Sequence, residues 1–592
     1  MAGALFYAAA ISARAQVVPP PASEVPIPVK PKTDTTPDSL RVKRDSIKAP
    51  IGRFADPATY EIGPQYEWNR AQLFATGALT VADLLDRIPG VTTFRSGWLA
   101  TPQTATFNAD FRRVRVFYDG VEIDALDNTT GGLLDLSTVQ LWALEHLTIE
   151  RSASELRLYM RSWRVDNTDP YTRVDIATGN EDTNLYRGFY GKRFDNGGVL
   201  QFAGQQYGVT SSRFAGSGDG LSLVSRIGIA RKGWSIDGFV NRNHATRGVQ
   251  GPAQGRPPIL SLDATHTNAY LRAAVGGVNS GPWAQMTVAS LSFKGTTGPD
   301  RSVTATSQPD TTERRNSETQ YNLSAGYTRG PARLEVQERL RALSGTSYNS
   351  VSGRLDFVTA VGVLSGFVEH DGFRKLTSAD AGIRLQPLSF IAVAGSIAQS
   401  VPSSGTGSVP SATSARGEVA LKVFGPWVSV GMISTDKTQG VAPVVYDTLF
   451  LPAAPARTSA GTASIRGALG RGFGIDAWIT RWEQTWPYQP QYQSRSELSF
   501  ANNFIKRFPR GDFELRAAGI YEYRGHTIFP LSAGDVRTAP AKTLSGLLEI
   551  RIMRAVVSYQ QRNILAYQYQ VIPGFEMPRV LAIYGVRWDF WN

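Results

Sequence analysis

The side chains with most to offer a ligand are arginines and aromatics, not nucleophiles. Arg95, Trp98, Arg112 and Arg113 fall in one stretch, and Trp486, Tyr488 and Tyr492 fall in another. Guanidinium groups grip anionic oxygens in a fork, and aromatic rings stack on sugars and flat ligands. Each set also has a plainer reading: polar contacts between two parts of the chain for the arginines, and a membrane interface for the aromatics. Of the five histidines (His146, His244, His266, His370 and His526) none stands at metal-ligand spacing from another. Gly216–Gly220 and Gly470–Gly474 are glycine-rich but lack the strand–loop–helix context of a phosphate cradle, and read as turns. Glu514 and Glu522 fall on one face of an alternating segment, where a solvated polar lining accounts for them. No catalytic residues, metal site or cofactor are expected, and the chain is not read as an enzyme.

Composition narrows the field further. The 592 residues contain no cysteine, which removes disulfides and thiolate metal sites and suits an oxidising envelope compartment. The net charge of +12 is spread along the chain, with no nucleic-acid module, so no nucleic-acid partner is expected. Glycine at 57 residues and aromatics at 10% favour strands and turns over helices. No apolar run reaches the length of a membrane-spanning helix.

The candidate arginines must be positioned by the stretch 79–159. Val81-Ala82-Asp83-Leu84-Leu85 has helical spacing, and Pro89-Gly90 stops that helix before Val91. Val114, Val116 and Tyr118 alternate with Arg113, Arg115 and Phe117 toward a tight turn at Asp119-Gly120. Ser137 is placed to cap a second short helix, and His146–Arg151, containing Ile149-Glu150-Arg151, reads as a strand.

LLDRIPGV, VRVFYDGVEI and LEHLTIERSA, in that order, resemble the plug domain of TonB-dependent outer-membrane receptors and transporters. The resemblance implies a small mixed α/β plug at 67–165 inside the lumen of a large barrel at 166–592. It implies a protein that binds a scarce solute outside and imports it, the plug acting as gate, when a TonB-type energy-transducing protein pulls. One departure stands out. The family's "RGPxSxLYG" becomes Arg151-Ser152-Ala153-Ser154-Glu155-Leu156-Arg157-Leu158-Tyr159 here, without the glycines that ease tight turns.

Ahead of the plug, Ala2–Ile11 with Ser12-Ala13-Arg14-Ala15 reads as a signal peptide, 1–15, cut after Ala15; its n-region lacks positive charge, so a few basic residues are expected upstream. Residues 16–66 form a proline-rich periplasmic linker, extended in solution. The resemblance places a TonB box there, pairing with its partner by strand addition. The candidates are Val25, Ile27 and Val29, which prolines interrupt, and Leu40 and Val42, in the short basic segment Ser39-Leu40-Arg41-Val42-Lys43.

From Tyr171 onward, alternating segments are separated by turn residues. In 320–329, Tyr321, Leu323, Ala325 and Tyr327 oppose Gln320, Asn322, Ser324 and Thr328. Counting gives twenty-two segments, from 171–179 to 579–591, joined alternately by short and longer connections. That asymmetry is expected of a transmembrane antiparallel β-barrel with short periplasmic turns and longer external loops in the bacterial outer membrane. The last segment presents Tyr584, Val586, Trp588 and Phe590 on one face, toward lipid. By resemblance the terminal aromatic is read by the outer-membrane assembly machinery, and here Trp591 is followed by Asn592. Two readings stay open: a solute importer, and a non-transporting surface receptor of the same architecture.

Overall fold

The computed structural model describes residues 56–592 apart from 166–167, 212–215, 251–258, 298–311, 404–410, 445–449, 510 and 592. The signal peptide and both TonB-box candidates lie outside the described residues. The inner unit runs β1 (Glu67–Asn69), α1 (Arg70–Ala75), α2 (Val81–Leu85), β2 (Val91–Arg95), β3 (Gln103–Phe107), β4 (Val114–Tyr118), β5 (Val121–Glu122), β6 (Leu144–Arg151) and β7 (Leu156–Ser162). Its five-stranded sheet has the order β1-β6-β7-β4-β5, with β4 and β7 parallel, while β2 and β3 form a separate hairpin.

Local chemistry explains these elements. Thr80 caps α2 and Asp83 returns the bond to the cap's backbone, a capping box. Leu84, Leu85, Val91 and Ile149 are fully buried in the shared core, which is why the LLDRIPGV and IER segments are apolar where they are. Asp119 and Gly120 both take left-handed backbone, φ 49° and 79°, as the two-residue hairpin between β4 and β5 requires. Helix α1, boxed by Asn69 and Gln72, is an element that hydrophobic spacing does not announce.

Three expectations need correction. Ser137 does not cap a helix: Asp135 does, accepting from Ser137 N at 3.0 Å, and only the 3-10 turn Leu136–Thr138 follows. The aspartate wins because its carboxylate also takes Gln103 N at 3.0 Å. The turn without glycines forms nonetheless, because Ser152 Oγ accepts from the backbone N of Ser154 (3.1 Å) and Glu155 (2.9 Å). Finally, 56–66 is not solvated linker. Tyr60, Glu61, Ile62 and Tyr66 are all buried, and a Cβ on Gly382 of the barrel would lie 2.4 Å from the Tyr60 ring. This strap is held between plug and barrel.

Twenty-two antiparallel strands close the barrel, with Leu581–Trp591 pairing back onto Tyr171–Gly179. Each expected strand is present, with ends moved by a few residues. The period of two is physical: Leu323 is 54% exposed on the outside while Gln320, three residues back, is fully buried within. Outward-facing Ile227, Leu271, Val430, Tyr584, Val586 and Trp588 are exposed on the same outer surface. Such a surface is stable only against hydrocarbon, and the chain is an outer-membrane β-barrel. Nine of the ten connections at the plug-entry end have two to four residues. The tenth, 503–512, has ten, because the strand Tyr492–Asn502 stops at Asn502. At the other end, 344–345 and 372–375 are short, whereas 439–455, 525–540 and 563–580 are long.

Candidate solute site and gate

The four plug residues expected as ligand contacts divide into two pairs. Arg95 is turned down onto α2, donating to Asp83 (2.7 Å) and Asp86 (2.5 Å). Trp98 is buried at the barrel wall, its Nε1 donating to Thr183 Oγ1 at 3.0 Å. Arg112 is held by Asp110 at 2.8 Å. Arg113 is different. Its guanidinium makes only long bonds, to Ser414 Oγ and Thr435 Oγ1 at 3.4 Å and Lys437 O at 3.5 Å, with no carboxylate partner among the described residues. Its desolvation holds its pKa below the usual arginine value; an arriving anion would reverse that cost.

Arg112 and Arg113 line a cavity of ≈ 330 Å³ between the plug and the barrel, within the range of small-molecule sites. Phe373, Arg374, Lys437 and Gln439 form its barrel side, and Asp124 and Gly132 part of its plug side. Asp124 is held protonated more readily than usual, because burial, opposed by Arg341, is reinforced by Glu122. Two of the barrel's short outer connections, 344–345 and 372–375, stand on this side, and the long connection 439–455 begins on it at Gln439. No histidine, methionine or cysteine lines this basin.

The aromatic loop of 483–491 lies elsewhere. Tyr488 is fully buried, T-shaped against Phe529 at 5.5 Å, its hydroxyl donating to Leu451 O at 2.5 Å. It faces neither lipid nor solute; with Phe450, Phe529, Val571 and Phe575 it builds a roof that rests on Phe94 of β2. Trp486 is half-buried beside Gly440, its indole N 3.4 Å from where a Cβ there would stand. Tyr492 begins a barrel strand and is exposed on its outward face, as the membrane-interface reading expects. Nothing in their sequence separates these three; the roof forms from partners far off in the chain, such as Leu451, Phe529 and Val571.

Beneath the basin lies a lattice of ion pairs that residue-by-residue reading does not find. Arg115 of β4 donates to Glu122 of β5 (2.6 Å) and to Glu369 of the barrel (2.5 Å). Glu122 also accepts from Arg339 and Arg341. Arg157 of β7 reaches Glu155 (3.1 Å), Glu150 (3.4 Å) and Asp380. Glu150 takes both arms of Arg354 at 2.8 Å, and Glu155 takes Arg374 at 2.6 Å. Burial alone would raise the Glu150 carboxyl, but Arg354 and Arg157 bring it down to about 2. The strap adds Glu61, which grips Arg151 (2.7 Å) and Arg416 (2.8 Å) and is likewise brought down to about 2 against burial. Arg151 Nη1 donates to Pro89 O at 3.3 Å, so the PGV and IER segments are tied through this one side chain. Below the lattice a second cavity of ≈ 80 Å³, lined by Phe117, Gly120, Tyr159, Arg339 and Arg354, sits on the plug-entry side.

The opposite wall packs rings around a central polar clamp, with the buried pairs Arg247–Asp135 (3.0 Å) and Arg164–Asp237 (3.5 Å) to either side. Tyr118 packs on Phe239 at 5.7 Å and Trp163 stacks on Phe189 at 3.5 Å. The clamp is Asp119, accepting from Tyr270 (2.8 Å), Arg226 (3.0 Å) and Ser162. Burial, which would raise its carboxyl, is overridden by Arg226 and Arg272, and its pKa lies well below the usual range. Glu514 and Glu522 line the lumen, paired with Arg516 (2.5 Å) and Arg495 (3.3 Å).

Comparison with known proteins agrees with this geometry. Residues 64–161 match the TonB-dependent receptor plug domain. No curated protein sequence matches the chain. Among solved structures, the siderophore receptor PirA from Acinetobacter baumannii is similar in fold, with a TM-score of 0.68 at 10% identity over 88% of this chain and 98% of that one. The copper transporter OprC superposes with a TM-score of 0.69 at 11% identity, covering 90% of this chain and 100% of its own. The ferric yersiniabactin uptake receptor FyuA from Yersinia pestis gives 0.65 at 12% identity over 89% and 98%.

Proposed function

From the premise that this chain carries the plug domain and has the fold of a TonB-dependent outer-membrane receptor, we propose that it imports a small chelate with anionic or acceptor oxygens. The observation that carries the reading is the Arg113 guanidinium, in a cavity of ligand size, with no carboxylate among the described residues to satisfy it. A bare copper ion, the cargo named for OprC, would find no soft donor there. A ferric chelate, the cargo class named for FyuA, offers the oxygens that a guanidinium grips.

The gate follows from the two cavities. Basin and lower cavity lie on the same side of the plug, and the Arg115–Glu122–Glu369 cluster stands between them. Solute docks above; a pull transmitted through the strap loads Glu61 first, then Arg151 and β6. Charged groups that separate can be rehydrated, so this wall opens at lower cost than an apolar one. The test is binding of a panel of ferric chelates to the purified receptor by calorimetry. Arg113→Ala is expected to weaken the bound chelate about tenfold or more, the worth of one charge-assisted bond. An unchanged affinity moves the site away from the basin.

A further inference from the structure

The ten-residue connection 503–512 stands among neighbours of two to four. It is not a slack loop. Phe504 N donates to Asn502 Oδ1 at 2.7 Å, Phe508 N to Phe504 O at 2.9 Å, and Gly511 N to Phe508 O at 2.9 Å. Its rings continue an aromatic ladder from the outer face of the barrel: Phe473 to Phe500 at 4.9 Å, Phe500 to Phe504 at 6.4 Å, Phe504 to Phe513 at 5.8 Å, and Phe513 to Phe508 at 5.0 Å. Phe473 is exposed on the lipid side, as are Ile552 and Met553 on the neighbouring strand pair. Within the lobe, Ile505 is 47% and Phe508 38% exposed.

Charge surrounds this apolar surface. Lys506 and Arg507 are exposed within the lobe. Exposed Arg471 and Arg554 occupy the turns on either side, which touch the lobe's base through Ala501 N to Gly472 O (2.8 Å) and Met553 N to Asp512 O (2.7 Å). None of these four cations is ion-paired among the described residues. An aromatic surface level with the membrane boundary, ringed by unpaired cations, has the composition of an element that lies in a lipid headgroup layer.

We propose that the described residues of the 503–512 lobe (503–509 and 511–512), with Arg471 and Arg554, form a binding site for the phosphate headgroup of an anionic phospholipid in the periplasmic leaflet. Ile505 and Phe508 enter the acyl boundary, and Lys506 and Arg507 meet the phosphate. A lipid is favoured over a periplasmic protein because the ladder is continuous with the hydrocarbon-facing strands. This inference is independent of the solute reading.

Native mass spectrometry of the full-length receptor in detergent, with equal phosphatidylglycerol or phosphatidylcholine added, tests it. The wild type should retain phosphatidylglycerol preferentially. Lys506→Glu with Arg507→Glu should lower that retention about tenfold or more, leaving phosphatidylcholine unchanged. Ile505→Ser with Phe508→Ser should lower both lipids alike. Heat-modifiable gel mobility shows that each variant keeps a folded barrel. Equal retention of the two lipids by the wild type overturns the proposal, as does phosphatidylglycerol retention that survives charge reversal; the latter would leave a periplasmic protein as occupant. Displacement of the lipid by millimolar inorganic phosphate would also overturn it, in favour of a free-anion site.

Discussion

The plug meets the barrel strands of 183–297 with packed rings and a few polar clamps, at Asp119, Asp135 and Arg164, and meets those of 332–422 with a lattice of shared guanidinium and carboxylate groups. The first contact excludes water and has no cheap intermediate, since each exposed ring costs free energy in proportion to its area. The second is nearly neutral in its net contribution once desolvation is counted, but is costly to half-break. A wall of that kind holds firmly until a directed force parts it, and then water can take the place of each partner. The basin stands above the charged wall, and the roof on Phe94 stands elsewhere. The proposed gate places the moving side of the plug at the charged wall.

The comparison can be broken most forcefully at Arg115. Arg115→Ala leaves Glu122 and Glu369 buried without it and should cost about 3–5 kcal/mol of plug docking. It should raise ion conductance in planar bilayers. Phe239→Ala on the ring-packed wall should cost a comparable 3–5 kcal/mol in thermal stability yet leave the conductance low. Leakage from both, or from neither, removes the distinction.

Acid separates the walls more gently. Glu61 and Glu150 are held near 2 against a usual 4.5, so their stabilisation is complete above the usual value and is lost as pH falls from about 4.5 through 2. Hydrogen exchange on β6 and the strap should accelerate over that window, while the amides of β3 beyond Gln103, which pair with the β2 backbone, stay protected. Exchange that rises equally in both would place the acid-sensitive contacts elsewhere.

A smaller effect is expected at the strap. Gly382→Val must displace Tyr60, whose ring already stands where a Cβ would go, and should make residues near 56–62 cleavable by added protease while the barrel stays folded. Resistance equal to wild type would mean that the strap is not held by this contact.

Much of this architecture is legible because it is local. A strand's alternation repeats every two residues, so Gln320 and Tyr321 announce opposite faces without reference to anything else, and all twenty-two strands could be counted. Capping and turn chemistry is local too, as at Thr80 and Asp119-Gly120. The charged wall is not. Glu122 finds Arg339 and Arg341, and Glu150 finds Arg354, across two hundred residues of chain, and an isolated charge always reads first as solvated. For the same reason Arg95 seemed available to solute although two aspartates of α2 already hold it, and Tyr488 seemed peripheral although Phe529 buries it. The 503–512 lobe escaped because its phenylalanines extend the preceding alternation, and only the hydrogen bonds at Phe504 and Phe508 show where the strand stops.

The chain has no cysteine, so paired cysteines can lock either wall without competition. Ser154→Cys with Asp380→Cys spans the charged wall, where the native side chains are 2.9 Å apart. Ala100→Cys with Gly218→Cys spans the other, where the Ala100 Cβ lies 3.0 Å from an ideal Cβ on Gly218. Energised uptake of a ferric chelate that the receptor binds is the measurement. The account predicts that the Ser154–Asp380 lock abolishes uptake until a reductant is added, and that the Ala100–Gly218 lock leaves uptake running. Uptake that persists through the first lock and stops with the second would contradict it.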